Sequence, residues 1–263
     1  METTASQKYI PVLSIAGSDP SGGAGIQQDI KTCEAFGCYG MAAITALTAQ
    51  SPTKVSSVLS TSHFLKAQLI ALLDEVLPFA VKTGMLPDEE SVVTTAETLT
   101  GYHLWNIVVD PVIASTSGHL LADKSAIQAM KESLFRIATV ITPNIPETEI
   151  LTGRKITGIT DARRAAKALS LSYGSKAVLI KGGHAVYDAD ILYVASSDSF
   201  HVLQTKKIDT PNTHGTGCRL STAIACALAL QTSAEPNILE AVAAAKNWLT
   251  QDLQKNAHLR FPL

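Results

Sequence analysis

Short apolar runs alternate with longer stretches of helical periodicity along most of the chain. Residues 10–16 and 41–48 read as buried strands, and 80–82, 106–109, 138–141 and 177–180 as shorter ones. A helix is predicted over 22–36 with Gly37 as its left-handed stop, and another over 62–77, capped by Ser62 and stopped by Pro78. Further helices are expected over 88–99, with Asp88 near the N-terminus, over 124–135 and over 161–171. Residues 190–204 alternate weakly, as an antiparallel pair at a sheet edge would, and the C-terminal third turns helical over 217–230 and 237–255. Apolar strands separated by helices predict an α/β fold, a mostly parallel central sheet with helices on both faces. No repeat of fixed period interrupts the pattern, so a single domain over 1–263 is expected.

Composition removes several alternatives. Of the 263 residues, 46% are hydrophobic, enough for one large core, and only 5% are aromatic, which suits aliphatic strands under Ala-rich helices. A net charge of −2, with the charges scattered, leaves no basic stripe to track a nucleic acid and no polybasic segment for a membrane surface. The longest apolar stretch, 223–230, is too short to span a bilayer. Residues 9–16 are short enough for a signal-peptide core. The acidic turn Gly17-Ser18-Asp19-Pro20 follows at once and is a poor cleavage region, so a first strand is preferred. The cysteines are Cys33, Cys38, Cys218 and Cys226, without the C-x2-C spacing of a zinc site. In a helix from 218 onward, Cys218 and Cys226 would stand about 12 Å apart along the axis, too far to share an ion. Free thiols in a reducing cytoplasm are the expectation.

Polar and Gly- or Pro-containing segments cluster just after the strands: Gly17-Ser18-Asp19, Lys82-Thr83-Gly84, Asp110-Pro111, Thr142-Pro143-Asn144 and Lys181-Gly182-Gly183-His184. In an open α/β sheet, loops at the carboxyl ends of parallel strands share one edge, and that edge carries the ligand site. These loops therefore point to one crevice.

The turn Gly215-Thr216-Gly217-Cys218 opens directly into an apolar-periodic helix. Glycines let backbone N–H groups approach an anion closely, and the helix N-terminus adds partial positive charge. The Cys218 thiol would sit in that field, which favours its thiolate. A plain loop-to-helix turn is the alternative. A second glycine-rich segment, 17–25, fits neither the dinucleotide fingerprint nor a Walker A loop. Asp29 follows it in the next helix, where a solvated position is the ordinary reading. Asp110 and Glu147 lie after neighbouring strands and suit a divalent cation that keeps several waters; for Glu147, compensation of a helix dipole is the alternative. Lys181 ends an apolar strand and needs an anion, either a phosphate or a carboxylate in the sheet. Gln50 also ends a strand; its amide offers a paired donor and acceptor to a heteroaromatic ring, or simply makes a turn.

Taken together these segments resemble a known family. Residues 17–27, 44–50, 82–86, 142–147, 181–184 and 212–218 are similar, in order and spacing, to the signatures of the hydroxymethylpyrimidine/phosphomethylpyrimidine kinases. The resemblance spans about residues 10–250 and implies a ribokinase-like fold, ATP with Mg2+, and a pyrimidine alcohol phosphorylated twice in thiamine biosynthesis. It implies a pyrimidine site of Gly17, Asp29, Gln50, Met85 and Val112. The nucleotide and metal side would comprise Asp110, Thr142, Asn144, Glu147, Lys181 and Thr213, with Gly215, Thr216, Gly217 and Cys218 at the reaction centre. Arg219 departs from the pattern, where a small or hydroxyl residue is more usual, and its charge would touch a phosphate or disturb packing. A homodimer is expected, and neither a nucleic acid nor a membrane as partner. A pyridoxine/pyridoxal kinase is the nearest alternative, and a non-catalytic nucleotide or pyrimidine binder a more distant one.

Overall fold

The computed structural model describes residues 9–51, 53–114, 120–182, 189–204, 208, 215–233 and 235–257. Among these, nine strands form one sheet: β1 (Pro11–Ser18), β2 (Tyr39–Ser51), β3 (Lys54–Ser60), β4 (Ala80–Thr83), β5 (Ile107–Val109), β6 (Val140–Ile141), β7 (Ala177–Ile180), β8 (Ala189–Val194) and β9 (Ser199–Gln204). The spatial order is β3-β2-β1-β4-β5-β6-β7-β8-β9. The six strands from β2 to β7 in that order pair in parallel. β3 joins one end antiparallel, and β8 and β9 form the expected antiparallel pair at the other.

The period-2 alternation of each strand supplies both faces. Leu13, Ile15, Val81, Val109 and Ile141 face one layer, formed by α2 (Ser62–Leu73), α3 (Glu89–Gly101), α4 (Lys124–Glu132), α5 (Ile145–Thr152) and α6 (Ile159–Tyr173). Val12, Val108, Val140 and Leu179 face the other, formed by α1 (Gly25–Ala35), α7 (Thr216–Leu230) and α8 (Ile238–Lys255). The α/β reading therefore holds. Among the described residues, no helix is long and apolar enough to cross a membrane.

Two elements were not expected from the sequence, and one cap needs correction. Residues 54–60 form an edge strand for which the sequence pattern predicts no element, because exposed Ser56 and Ser57 break its apolar alternation. Residues 145–152 form α5, hidden by its early Pro146 but started by a reciprocal capping box. There Asn144 Oδ1 accepts from Glu147 N at 2.8 Å, and Glu147 Oε2 accepts from Asn144 N at 2.8 Å. Ser62 is not the cap of α2, since Thr61 holds that position; the Ser62 hydroxyl donates instead to Glu90 at 3.0 Å. The Gly37 stop is as expected, with φ +71.

Candidate active site

The carboxyl ends of β1, β4, β5, β6 and β7 lie along one edge of the parallel sheet, so the convergence expected of their loops is realised up to Gly182. His184 and Thr213 lie outside the described residues. Over this edge two glycine turns meet. Gly215 (φ +73) begins α7, and a Cβ built there would stand 1.9 Å from the Gly23 carbonyl oxygen. Gly25 (φ +58) begins α1, and its Cβ would stand 2.3 Å from the Gly17 carbonyl oxygen. Both positions need left-handed backbone and tolerate no side chain. The N-termini of α1 and α7 are thereby brought together, and the Gly25 N–H donates to the Cys218 thiol.

Cys218 is half-buried. Burial pushes its thiol up to about 11, with the carboxylates of Asp29 and Asp110 adding to the rise and Lys82 opposing it. The expected thiolate is therefore not formed at neutral pH: loss of solvation outweighs the positive helix end.

Beneath Cys218 lie two buried Lys–Asp pairs. Lys82 Nζ donates to Asp29 Oδ2 at 2.7 Å, with both side chains at 0% exposure. Ser14 Oγ donates to the same oxygen at 2.6 Å, and Thr222 Oγ1 donates to Asp29 Oδ1 at 2.7 Å. Burial disfavours the Lys82 ammonium, but Asp29, Cys218 and Asp110 outweigh it and hold its pKa above the ordinary value. Asp29 is not the solvated helix residue of the ordinary reading, since its side chain is at 0% exposure. Both of its oxygens are occupied by the chain, and it forms the floor of the site.

The second pair is Lys181–Asp110. Lys181 Nζ donates to Asp110 Oδ1 at 2.7 Å, Ser221 Oγ to Asp110 Oδ2 at 3.1 Å, and Thr142 Oγ1 to Asp110 Oδ1 at 3.3 Å. The Lys181 partner here is the sheet carboxylate. Against the cost of burial, Asp110 and Glu147 keep its pKa above the ordinary range. Its ammonium also borders the α7 start, since a Cβ on Gly217 would lie 3.3 Å from Lys181 Nζ. Glu147 is buried beside this pair. Burial first, and Asp110 also, push its carboxyl up to about 7, against the pull of Lys181 and the Asn144 and Ile113 amides. The helix N-terminal reading of Glu147 thus holds, because its carboxylate caps α5, and the same group crowds Asp110.

On the opposite side, a Cβ on Gly17 would meet Met85 Sδ at 3.0 Å. Met85 packs with Ala46, Val55 and Leu121, and Val112 lies against the same cluster. Gly17, Met85 and Val112 therefore share one apolar wall. Gln50 is half-buried near the end of β2, where Thr48 Oγ1 donates to Gln50 Oε1 at 3.3 Å and to the Ser18 carbonyl at 2.8 Å. The hydroxyl binds the β2 end to the β1 loop.

Arg219 points elsewhere. It is buried between α7 and α8, paired with Asp252 and set over the Trp248 ring at 5.6 Å from its centroid. Ser14, Ser221 and Thr222 are polar residues that sequence reasoning did not single out, and Lys82 it placed at the crevice without a role. Their signals were a lysine inside the apolar run Ala80-Val81-Lys82-Thr83 and two adjacent hydroxyls inside an apolar helix.

A doubly covered parallel sheet, with a Gly-Thr-Gly-Cys helix start over two Lys–Asp pairs at its carboxyl edge, defines the ribokinase-like class of phosphotransferases. Two solved structures share the architecture. One is phosphomethylpyrimidine kinase from Clostridium difficile, at TM-score 0.80 and 40% identity over 92% of this chain and 98% of that one. The other is an ADP complex of Bacillus subtilis pyridoxal kinase, at TM-score 0.83 and 36% identity over 94% and 93%. Within that class the chain belongs to the phosphomethylpyrimidine kinase family, whose model matches residues 19–260. A hydroxymethylpyrimidine/phosphomethylpyrimidine kinase of Streptomyces coelicolor is 43% identical over 91% of this chain and 87% of that protein. The chain spans 48% of the length of the bifunctional thiamine-biosynthesis proteins it also matches.

Proposed function

We propose that the chain transfers the terminal phosphoryl group of ATP to 4-amino-5-hydroxymethyl-2-methylpyrimidine, and then to the resulting monophosphate, in thiamine biosynthesis. The observation that carries this is the meeting of the α1 and α7 N-termini at Cys218, with the Lys181 ammonium beside Gly217. Backbone donors at Gly215–Cys218 face the place where charge builds on the transferring group, and phosphoryl transfer depends chiefly on such positioning. Lys181, held by Asp110, stays charged and neutralises phosphate oxygens. Thr142 and Asn144 line the nucleotide side, and Thr213 belongs to it by family resemblance.

Asp110 and Glu147 would hold Mg2+. They offer oxygen donors on adjacent strand ends, and a Glu147 carboxyl crowded toward protonation is relieved by a cation. When bound, the ion neutralises charge on the bridging phosphates. Two protein carboxylates suit an ion whose remaining positions are filled by phosphate and water.

Gln50 pairs with the pyrimidine ring over the apolar wall of Gly17, Met85 and Val112. Cys218 acts as a neutral thiol that orients the acceptor hydroxyl; the monophosphate acceptor, already anionic, needs no base. We read the protein as a single-domain cytoplasmic homodimer. The exposed Leu47 and Leu59 of the β2–β3 edge support self-association.

The deciding measurement is a coupled assay of ADP release with Mg-ATP, comparing the hydroxymethylpyrimidine, its monophosphate and pyridoxal. Release with both pyrimidines is expected. Release with pyridoxal alone would overturn the reading.

A further inference from the structure

Three of the four cysteines lie together away from the reaction centre, in the layer of α1, α7 and α8. Cys33 in α1, Cys38 just after it and Cys226 in α7 are all buried. Cys226 Sγ stands 3.6 Å from Cys33 Sγ, and its thiol also hydrogen-bonds Cys38. Gly37 builds this arrangement: its φ of +71 ends α1 and turns the chain back, so that Cys38 N donates to the Cys33 carbonyl at 2.9 Å. Cys226 thus stands between two thiols that belong to the other helix and its exit turn. Cys38, 7% exposed, is the member nearest solvent, while Cys33 and Cys226 are at 1% and 0%.

We propose that Cys38, Cys226 and Cys33 form a thiol relay that a hydroperoxide converts into a disulfide joining α1 to α7. The Cys38 sulfur attacks the terminal peroxide oxygen. The O–O bond breaks, the departing oxygen takes up the thiol proton and leaves as alcohol or water, and Cys38 becomes a sulfenic acid. The Cys226 thiol then attacks the Cys38 sulfur, forming a Cys38–Cys226 disulfide and releasing one water. Cys33 attacks the Cys226 sulfur in turn, its proton passing to Cys38, which leaves a Cys33–Cys226 disulfide and a free Cys38. Two thiols are oxidised by two electrons, and one hydroperoxide is reduced to an alcohol and a water. The hydrogen bond from Cys226 holds the Cys38 thiol below its ordinary pKa, against the effect of burial, which suits Cys38 to the first step.

The tie has a mechanical consequence. A disulfide brings its sulfurs to about 2.05 Å, so the 3.6 Å gap must close by roughly 1.5 Å. α1 and α7 carry the two glycine turns that meet at Cys218, and Cys226 lies about 12 Å along α7 from that thiol. Drawing the helices together therefore shifts one cradle wall against the other, and oxidation should slow phosphoryl transfer.

The test treats the full chain with hydrogen peroxide, blocks free thiols, and reads disulfide-linked peptides by mass spectrometry. This readout stands whether or not the proposed activity is correct. A linked peptide joining Cys33 to Cys226, two hydrogens lighter than its parts and lost on dithiothreitol treatment, is expected. Cys38→Ser should slow its formation, and Cys226→Ala should abolish it. Absence of any linkage among the three, or oxidation confined to Cys218, would overturn the proposal. In the phosphoryl-transfer assay, the oxidised wild type should lose activity several-fold and regain it with dithiothreitol, a loss that Cys226→Ala escapes. An equal, reversible loss in Cys226→Ala would assign the effect to another thiol and overturn the coupling.

Discussion

Ser221 and Thr222 are neighbours in α7, yet their hydroxyls reach different buried ion pairs. Ser221 Oγ donates to Asp110 at 3.1 Å, and Thr222 Oγ1 donates to Asp29 at 2.7 Å. Two anchors on successive residues fix both the rotation and the depth of α7, and with them the direction in which its N-terminal amides point. Thr222→Val keeps the shape but leaves Asp29 Oδ1 without this donor. It should cost about 1–3 kcal/mol in denaturant unfolding, and Thr222→Ser should recover most of it. An unchanged midpoint for the valine variant would mean that the contact does not secure the helix.

Gly215→Ala combines a left-handed φ of +73 with a Cβ that would stand 1.9 Å from the Gly23 carbonyl oxygen. The two glycine turns must separate to admit it. Because an error of an ångström in a reacting geometry costs about 100-fold, kcat should fall by at least that factor. Far-ultraviolet circular dichroism should show the fold retained. Near-normal kcat would mean that the junction is not the reaction centre.

With its thiol raised to about 11 by burial, Cys218 is protonated at neutral pH. Its alkylation by iodoacetamide should rise about tenfold per pH unit between pH 7 and 10, because the thiolate is the reacting species. A rate that levels off near pH 8 would restore an activated thiolate, and with it a role as base.

Glu147 gives a stability prediction of definite sign. Its folded pKa of about 7 lies above its ordinary value of 4.5, so the folded state holds the proton more tightly. The contribution is present in full below pH 4.5 and is lost as pH rises through 7. Metal-free protein should therefore lose up to about 3 kcal/mol from this group between pH 5 and 8. Glu147→Gln, which still caps α5 through its amide oxygen, should flatten that slope while weakening Mg-ATP binding. Thermal melts in chelator across this range would read it; a slope that survives the substitution would place its origin in another group.

The proposed reading puts Gln50 on the pyrimidine side, away from the nucleotide. Gln50→Leu should weaken pyrimidine affinity by about tenfold, the loss of roughly one hydrogen-bonded pair, and leave nucleotide affinity within about twofold. Calorimetric titration with each ligand separates the two. Equal losses would remove the ring from this position.

The parallel strands were legible because both faces of each are apolar, and the crevice because its loops follow those strands. Asp29 was harder. The partners that bury it, Ser14, Lys82 and Thr222, lie 15, 53 and 193 positions away, beyond the reach of any local periodicity. The sign of the Cys218 shift was missed for a related reason: the positive helix end is visible in a glycine-rich turn, whereas the desolvation that outweighs it comes from distant segments. Arg219 shows the same limit, since only its distance from Asp252 and Trp248 in space, not in sequence, decides which way its charge faces.

The glycine junction also bears on when the cradle can be assembled. Gly23 leaves the ribosome well ahead of Gly215, so one wall of the cradle waits, unmatched, while the residues between them are synthesised. Asp29 can meet Lys82 long before Thr222 arrives to occupy its second oxygen. Contacts of such sequence separation form slowly, after most loop-closure entropy has been lost. Assembly of this junction should therefore come late in the folding of these residues, and turnover in the proposed assay should be a stricter report of completed folding than any measure of secondary structure.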